Sequence, residues 1–369
     1  MAKKALYLAG GGARGAYQAG VLKAIAEILQ CKTLPFNIVT GVSIGSLNAS
    51  MLVQHADDFP LAVDKLDTLW RKIHCDNIFN TSNYELGKSV FRNISHLIIK
   101  QRKTGHLLNT EPLHEFISSN IDFSLINTQV NSDLLETMEV ISNCYESQQT
   151  VSFYQHADNQ FEDWHYPRHV SERVEMDMQH ILASSALPLF FPAVKINGLH
   201  FGDGSMGLVS PLRGAVKFQA EKVMIIGTRQ LPVFKEEQTL KNGDIGFARV
   251  LGNMLNGLFL DNLDRDIEML NRMNDISRLL SMWKKRYSPW RPIEAIHMRP
   301  SIDIASIAQA NYQSMPAVLR ILLNTLGAKS HSGDLLSFLL FERSFTGELI
   351  DLGYQDTLAS ESVVKAFFE

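Results

Sequence analysis

The stretch Gly41-Val-Ser-Ile-Gly45 constrains this chain more than any other, because of what flanks it. Phe36-Asn-Ile-Val-Thr40, just before it, is a short apolar run that reads as a buried strand. Ser46-Leu-Asn-Ala-Ser-Met-Leu-Val53, just after it, reads as the first turns of a helix. Strand, G-x-S-x-G and helix in that order make a sharp turn in which Gly41 and Gly45 permit close packing and the Ser43 hydroxyl is left exposed. The helix N-terminus beneath the serine favours developing negative charge.

Residues 4–9 read as an earlier strand, followed by Gly10-Gly-Gly-Ala-Arg-Gly15 and a helix from about Ala16. Val21, Leu22, Ile25, Ile28 and Leu29 give that helix one apolar face. The order strand, loop, helix, strand, serine turn, helix predicts an α/β chain with parallel strands and helices packed on the sheet. Gly10, Gly12 and Gly15 also satisfy the dinucleotide pattern G-x-G-x-x-G. That reading needs an acidic residue at the end of the second strand, where this chain has Thr40 entering the serine turn. Three consecutive glycines, Gly10, Gly11 and Gly12, instead suit a loop whose backbone N–H groups converge on an oxygen that becomes negative during acyl transfer. Arg14 has two readings that the sequence leaves open: a salt bridge that braces the loop, or added positive potential at the reacting centre.

Further along, residues 134–144 and 150–154 read as strands that pair, and Met176 to Leu187 as a helix stopped by Pro188. Pro192 to Phe201 reads as a strand or hairpin with Asn197-Gly198 as its turn. Lys222 to Thr228 reads as another buried strand. Beyond about residue 235 helical runs dominate, at 244–280 and 315–345, with one extended piece at Ile293-Glu-Ala-Ile-His-Met298. The expected division is a catalytic domain over 4–228 and a mainly helical region over 235–369 packed against it.

Composition removes several function classes. A net charge of −4 argues against a general nucleic-acid binder. Three scattered cysteines, Cys31, Cys75 and Cys144, supply neither a disulfide framework nor a zinc site. No stretch approaches the roughly 20 apolar residues that span a bilayer. The apolar part of the N-terminus is too short for a cleaved leader and runs straight into glycines, so a cytoplasmic protein is expected. Ser89 to Lys103 is amphipathic with a basic end. It reads as a core-facing helix with a solvated end, or as a flap or a surface for transient membrane contact with anionic lipid.

A reactive serine needs a group to take its proton. His297 is a nominal base late in the chain, but its strand-like neighbours suggest a structural histidine. Gly202-Asp203-Gly204 is the stronger candidate, although an Asp-Gly pair alone also reads as a surface turn. Taken together, Gly10-Gly-Gly-Ala-Arg-Gly15, Gly41-Val-Ser-Ile-Gly45, Ala183-Ser-Ser-Ala-Leu-Pro188 and Asp203-Gly204 resemble the patatin-like phospholipase family across roughly residues 4 to 228. The resemblance implies a three-layer α/β/α fold with a mainly parallel sheet, and hydrolysis of phospholipids or other acyl lipids by a Ser–Asp dyad. It implies Ser43 as nucleophile and Asp203 as proton acceptor. Gly10, Gly11 and Gly12 would form the oxyanion hole with Arg14 beside it. The family usually has Asp-Gly-Gly or Asp-Gly-Ala where this chain has Asp203-Gly204-Ser205. No metal and no cofactor is needed for these steps. Two rivals share the fold: an acyltransferase using the same acyl-enzyme, and a noncatalytic lipid-binding protein.

Overall fold

A computed structural model describes residues 2–80, 107–132, 134–231, 247–279, 291–325 and 333–369. The amphipathic segment 89–103 lies outside the described residues. Ten strands form one mixed sheet: β1 (Lys4–Leu8), β2 (Ile38–Val42), β3 (Thr137–Cys144), β4 (Gln149–His156), β5 (His165–Tyr166), β6 (His169–Arg173), β7 (Val194–Ile196), β8 (Leu199–Asp203), β9 (Lys222–Ile226) and β10 (Glu294–Met298). Its path is β10-β9-β1-β2-β3-β4-β6-β5, with β8 also beside β3 and β7 hairpinned onto β8. The run from β10 to β3 is wholly parallel. The pairs β3/β4, β3/β8, β5/β6 and β7/β8 are antiparallel.

The inner parallel strands β1, β2 and β9 are buried along nearly their whole length, as expected where helices cover both faces of a sheet, whereas the edge strand β10 is buried only at Met298. On one face lie α1 (Ala16–Leu29), α2 (Ile44–Val53) and α3 (Phe59–Lys72). The apolar stripe of α1 is buried through Val21, Leu22 and Ile25, and the helix ends where Gln30 turns left-handed. Asp58 caps α3 by accepting from Leu61 N. The short helices α4 (Cys75–Ile78), α5 (Glu111–Asn120), α6 (Phe123–Val130) and α7 (Met178–Ser184) follow. Asp177 caps α7 from the Gln179 and His180 N–H groups, so the helix starts two residues later than the apolar pattern suggests. The other face carries a second core around Tyr7, Ile38, Trp164, Phe218 and Ile225. It is covered by α8 (Arg213–Lys217) and by the long α9 (Phe247–Leu279). The arrangement is therefore the expected α/β/α sandwich with a mostly parallel centre.

The last third of the chain contains α10 (Ile304–Ala310), α11 (Ala317–Thr325), α12 (Gly333–Leu339), α13 (Arg343–Ala359) and α14 (Glu361–Phe368). Its extended piece joins the sheet as β10, in parallel register with β9. The helices α13 and α14 extend past the helical run read from the sequence. The buried face of α13 mixes Phe345, Leu349 and Ile350 with Thr346, Gly353 and Thr357, which blurs the apolar period. The small residues allow α13 to press on α1: a Cβ built on Gly353 would sit 2.2 Å from Tyr17 O. Asn197 and Gly198 both take positive φ and close the β7/β8 hairpin, as the Asn-Gly signal predicts. Among the described residues, no helix is long and apolar enough to cross a membrane.

Candidate active site

Ser43 follows β2 and stands at the start of α2 with φ 54° and ψ −127°. A serine at positive φ is a strained conformation that persists only where surroundings fix it. The surroundings here are tight. A Cβ on Gly41 would meet Gly45 O at 2.5 Å, and one on Gly45 would meet Leu8 O at 2.2 Å. Only glycine fits at either position, and the second contact seats the serine turn against the end of β1. Ser43 N donates to Ser184 Oγ at 2.8 Å, and Ser184 Oγ donates onward to Ile141 O at 2.6 Å.

Asp203 ends β8. Its carboxylate Oδ2 accepts the Ser43 hydroxyl at 2.5 Å, with Ser43 5% exposed and Asp203 fully buried. Oδ1 accepts Ser205 N at 2.9 Å, and Asp203 N donates to Ala186 O at 3.0 Å. The Ala183–Pro188 segment thus ties both partners: Ser184 holds the backbone of Ser43 and Ala186 that of Asp203. Burial pushes the Asp203 carboxyl up to about 6, against the pull of hydrogen bonds from Ser43 and Ser205. An ordinary aspartate is a weak base, and this shift brings its affinity for a proton close to neutrality. A serine hydroxyl bonded to such a carboxylate can pass its proton across directly.

Gly10, Gly11 and Gly12 lead from β1 into a 3-10 turn over Gly12–Gly15. Gly11 and Gly12 both have positive φ, at 150° and 58°. The first N–H groups of a helical turn have no partner within it, so they are available to an anion. Thr228 Oγ1 donates to Gly10 O at 2.7 Å. Asn48 Nδ2 donates to Gly15 O at 3.1 Å, and Trp70 Nε1 donates to Asn48 Oδ1 at 2.9 Å. The loop therefore sits beside the serine turn, fixed by buried side chains.

Arg14 leaves this centre. Its guanidinium donates through Nε to Ser337 Oγ at 2.7 Å and through Nη2 to Asp334 Oδ1 at 3.4 Å. It lies 4.3 Å from the centre of the Phe338 ring and is 3% exposed. Of the two readings left open by the sequence, the geometry is that of a brace to α12. Burial lowers its pKa to about 10, opposed by Asp334, which leaves it cationic at neutral pH.

His297 is on β10, three strands from β2, on the order of 14 Å across the sheet at the usual strand spacing. Its Nδ1 faces Arg299, and burial with that cation draws the imidazole down to about 3. It is a neutral structural histidine, as the strand-like neighbours suggested. Ser184 was not singled out by sequence reasoning. Its only signal was its place in the motif Ala183-Ser-Ser-Ala, which says nothing about which hydroxyl meets which amide.

A model of the patatin-like phospholipase family matches residues 6–216, more than half of the chain, and the chain belongs to that family. Over 96 residues it is 34% identical to lysophospholipase nte1 of Aspergillus terreus, a match covering 24% of this chain and 6% of that protein. Over 74 residues it is 39% identical to the patatin-like phospholipase domain-containing protein ZK370.4 of Caenorhabditis elegans, covering 18% of this chain and 5% of that protein. The matched stretch thus spans only about one-twentieth of these relatives' length. The crystal structure of VipD from Legionella pneumophila aligns over 95% of this chain and 67% of that one, at 14% identity and a TM-score of 0.37.

Proposed function

We propose that this protein is a lipid acyl hydrolase that cleaves carboxylic esters of phospholipids through a Ser43–Asp203 dyad and a covalent acyl-enzyme. The observation that carries this reading is the buried 2.5 Å contact between Ser43 Oγ and Asp203 Oδ2. Family membership supports a lipid substrate. The short match to lysophospholipases makes single-chain phospholipids the first substrates to test.

In the proposed mechanism Ser43 Oγ attacks the ester carbonyl while its proton moves to Asp203. The oxygen that becomes negative is met by N–H groups of the Gly10–Gly12 loop and by that of Ile44 at the start of α2. Ser43 N is already committed to Ser184 and stays out of this set. Collapse of the tetrahedral intermediate breaks the bond to the alcohol, which leaves with the proton held by Asp203. Water then gives a proton to Asp203 and attacks the acyl-enzyme, and the fatty acid departs as the proton returns to Ser43.

A cavity of about 360 Å³ adjoins the Ala183–Pro188 segment, with Leu113, Met178, Leu182, Ala186 and Phe191 in its wall. The apolar part of its wall suits the acyl chain, while polar residues such as His114 and Lys195 line other parts, and Ser185 brings it within one residue of Ser184. The test is a lipid panel assayed with the native protein and with Ser43→Ala, released acids being identified by mass spectrometry. Fatty acid release by the native protein alone supports the reading. Equal release by both proteins overturns it.

A further inference from the structure

On the face of the sheet away from α1, a cavity of about 610 Å³ opens between α8 and α9. That is within the ~300–1,000 Å³ range of small-molecule sites. Val216 of α8, Leu270 and Met273 of α9 and Ile293 before β10 give it an apolar wall, with Met269 half-exposed at its edge. Methionine side chains adapt to flexible apolar guests.

Its polar groups are unusual. The Arg213 guanidinium lies 4.4 Å and the Lys217 ammonium 4.9 Å from the centre of one ring, that of Tyr166. Two cations gathered on one aromatic ring repel each other, and an anion bound beside them would relieve that repulsion. Arg213 Nε is buried and has no hydrogen-bond acceptor among the described residues. A buried donor left unmade is costly, so an incoming acceptor gains more here than at the surface. Of the two acids of the wall, Asp266 accepts Leu212 N at 2.8 Å and faces Arg213 electrostatically without meeting its Nε, and Glu221 accepts Lys3 N at 3.2 Å.

We propose that this cavity is a second ligand site, separate from the reaction centre, that binds a long-chain carboxylate with its head on Arg213 and Lys217 and its chain against α9. The chemistry of the walls selects the ligand class. That the carboxylate is the protein's own reaction product rests on the function proposed above. The position makes a consequence available. Six residues separate Asp203 from Ser210, which lines the cavity, while Asn262 and Leu263 of the same α9 border Gly10 and Ser205. A bound acid would bear on the segment that carries the proton acceptor.

The test uses a palmitate analogue bearing a photoreactive diazirine, cross-linked to the full chain and mapped by peptide mass spectrometry. Adducts are expected within 213–217 and 266–274. Oleate should compete, while oleyl alcohol and a lysophosphatidylglycerol of equal chain length should compete at least tenfold less well. Arg213→Gln should weaken capture by about tenfold, the loss of one charge-assisted contact. Met273→Trp, which fills the cavity, should abolish it, with thermal midpoints checked for both variants. Ser43→Ala should retain it. Absence of adducts from both segments, or undiminished capture by Arg213→Gln, overturns the site. Equal competition by the alcohol or the lysolipid overturns the carboxylate assignment. Capture without ester hydrolysis by the native protein would sink the hydrolase reading and leave the site standing; hydrolysis without capture would do the reverse.

Discussion

The two halves of the candidate active site are held in different ways. The serine turn is held from within residues 6–216: Gly41 and Gly45 pack on neighbouring backbone, and Ser184 receives Ser43 N. The glycine loop leans on residues beyond that segment. Arg14 reaches Asp334 and Ser337, and a Cβ on Gly12 would sit 2.2 Å from Phe338 O. The proposed nucleophile is thus carried by the family segment alone, whereas the proposed anion cradle is shaped partly by α12. Perturbing α12 should disturb stabilisation of the transition state while sparing the Ser43–Asp203 contact.

The largest effect should come from the dyad. Ser43→Ala and Asp203→Asn should each reduce ester hydrolysis by about four orders of magnitude or more, measured as kcat on a soluble ester, with the thermal midpoint held. Asp203→Asn keeps the shape and removes the base, so near-normal turnover in that variant would break the assignment. Next is Gly12→Ala, which forces either the loop or α12 to move. A loss of about a hundredfold in kcat is expected, comparable to losing one oxyanion donor.

Ser337→Ala should be milder, lowering kcat about tenfold or less with KM little changed, since one of the Arg14 contacts remains. Arg14→Gln should cost more stability than Ser337→Ala, because it leaves Asp334 and Ser337 without their cation. Denaturant midpoints rank the two. If both variants leave kcat untouched, the loop does not depend on α12 and the contrast between the two halves fails.

The smallest effect is one of pH. The proposed mechanism requires ionised Asp203, so kcat/KM should rise with pH through about 6, above the ordinary carboxylate range. The same shift acts on stability in the opposite direction. The folded state holds a proton on Asp203 that the unfolded chain, with its value near 3.8, has already released. Its contribution is fully present below about pH 4 and is lost as pH rises through about 6. Stability measured between pH 4 and 7 should fall less steeply in Asp203→Asn than in the native protein.

What the sequence disclosed follows the range of the forces involved. The serine turn, the β7/β8 hairpin and the parallel strands were legible because each rests on local rules of glycine conformation and apolar period. The pairing of Ser43 with Asp203 came from the resemblance, since 160 positions separate them and nothing local joins them. The destination of Arg14 stayed open because its partners lie 320 and more positions away. Helix α13 escaped notice because close approach to α1 selects glycine and threonine where a simpler helix would show leucine. The strands β5 and β6 are short and polar, and they gain order from pairing, β6 with β4 and β5 with β6.

The acid meets the alcohol through a narrow piece of weaving. Asp203 ends a five-residue strand that lies opposite Ser142 of β3 and is hairpinned on one side to β7 through the Asn197-Gly198 turn. On the other side Gly204 presses so close to Ile141 O that an added carbon would lie 1.9 Å away. A shift of that thread by a single stitch would send the carboxylate to the opposite face. One residue inserted between Phe201 and Asp203 would therefore part the carboxylate from Ser43 with both side chains of the proposed dyad intact.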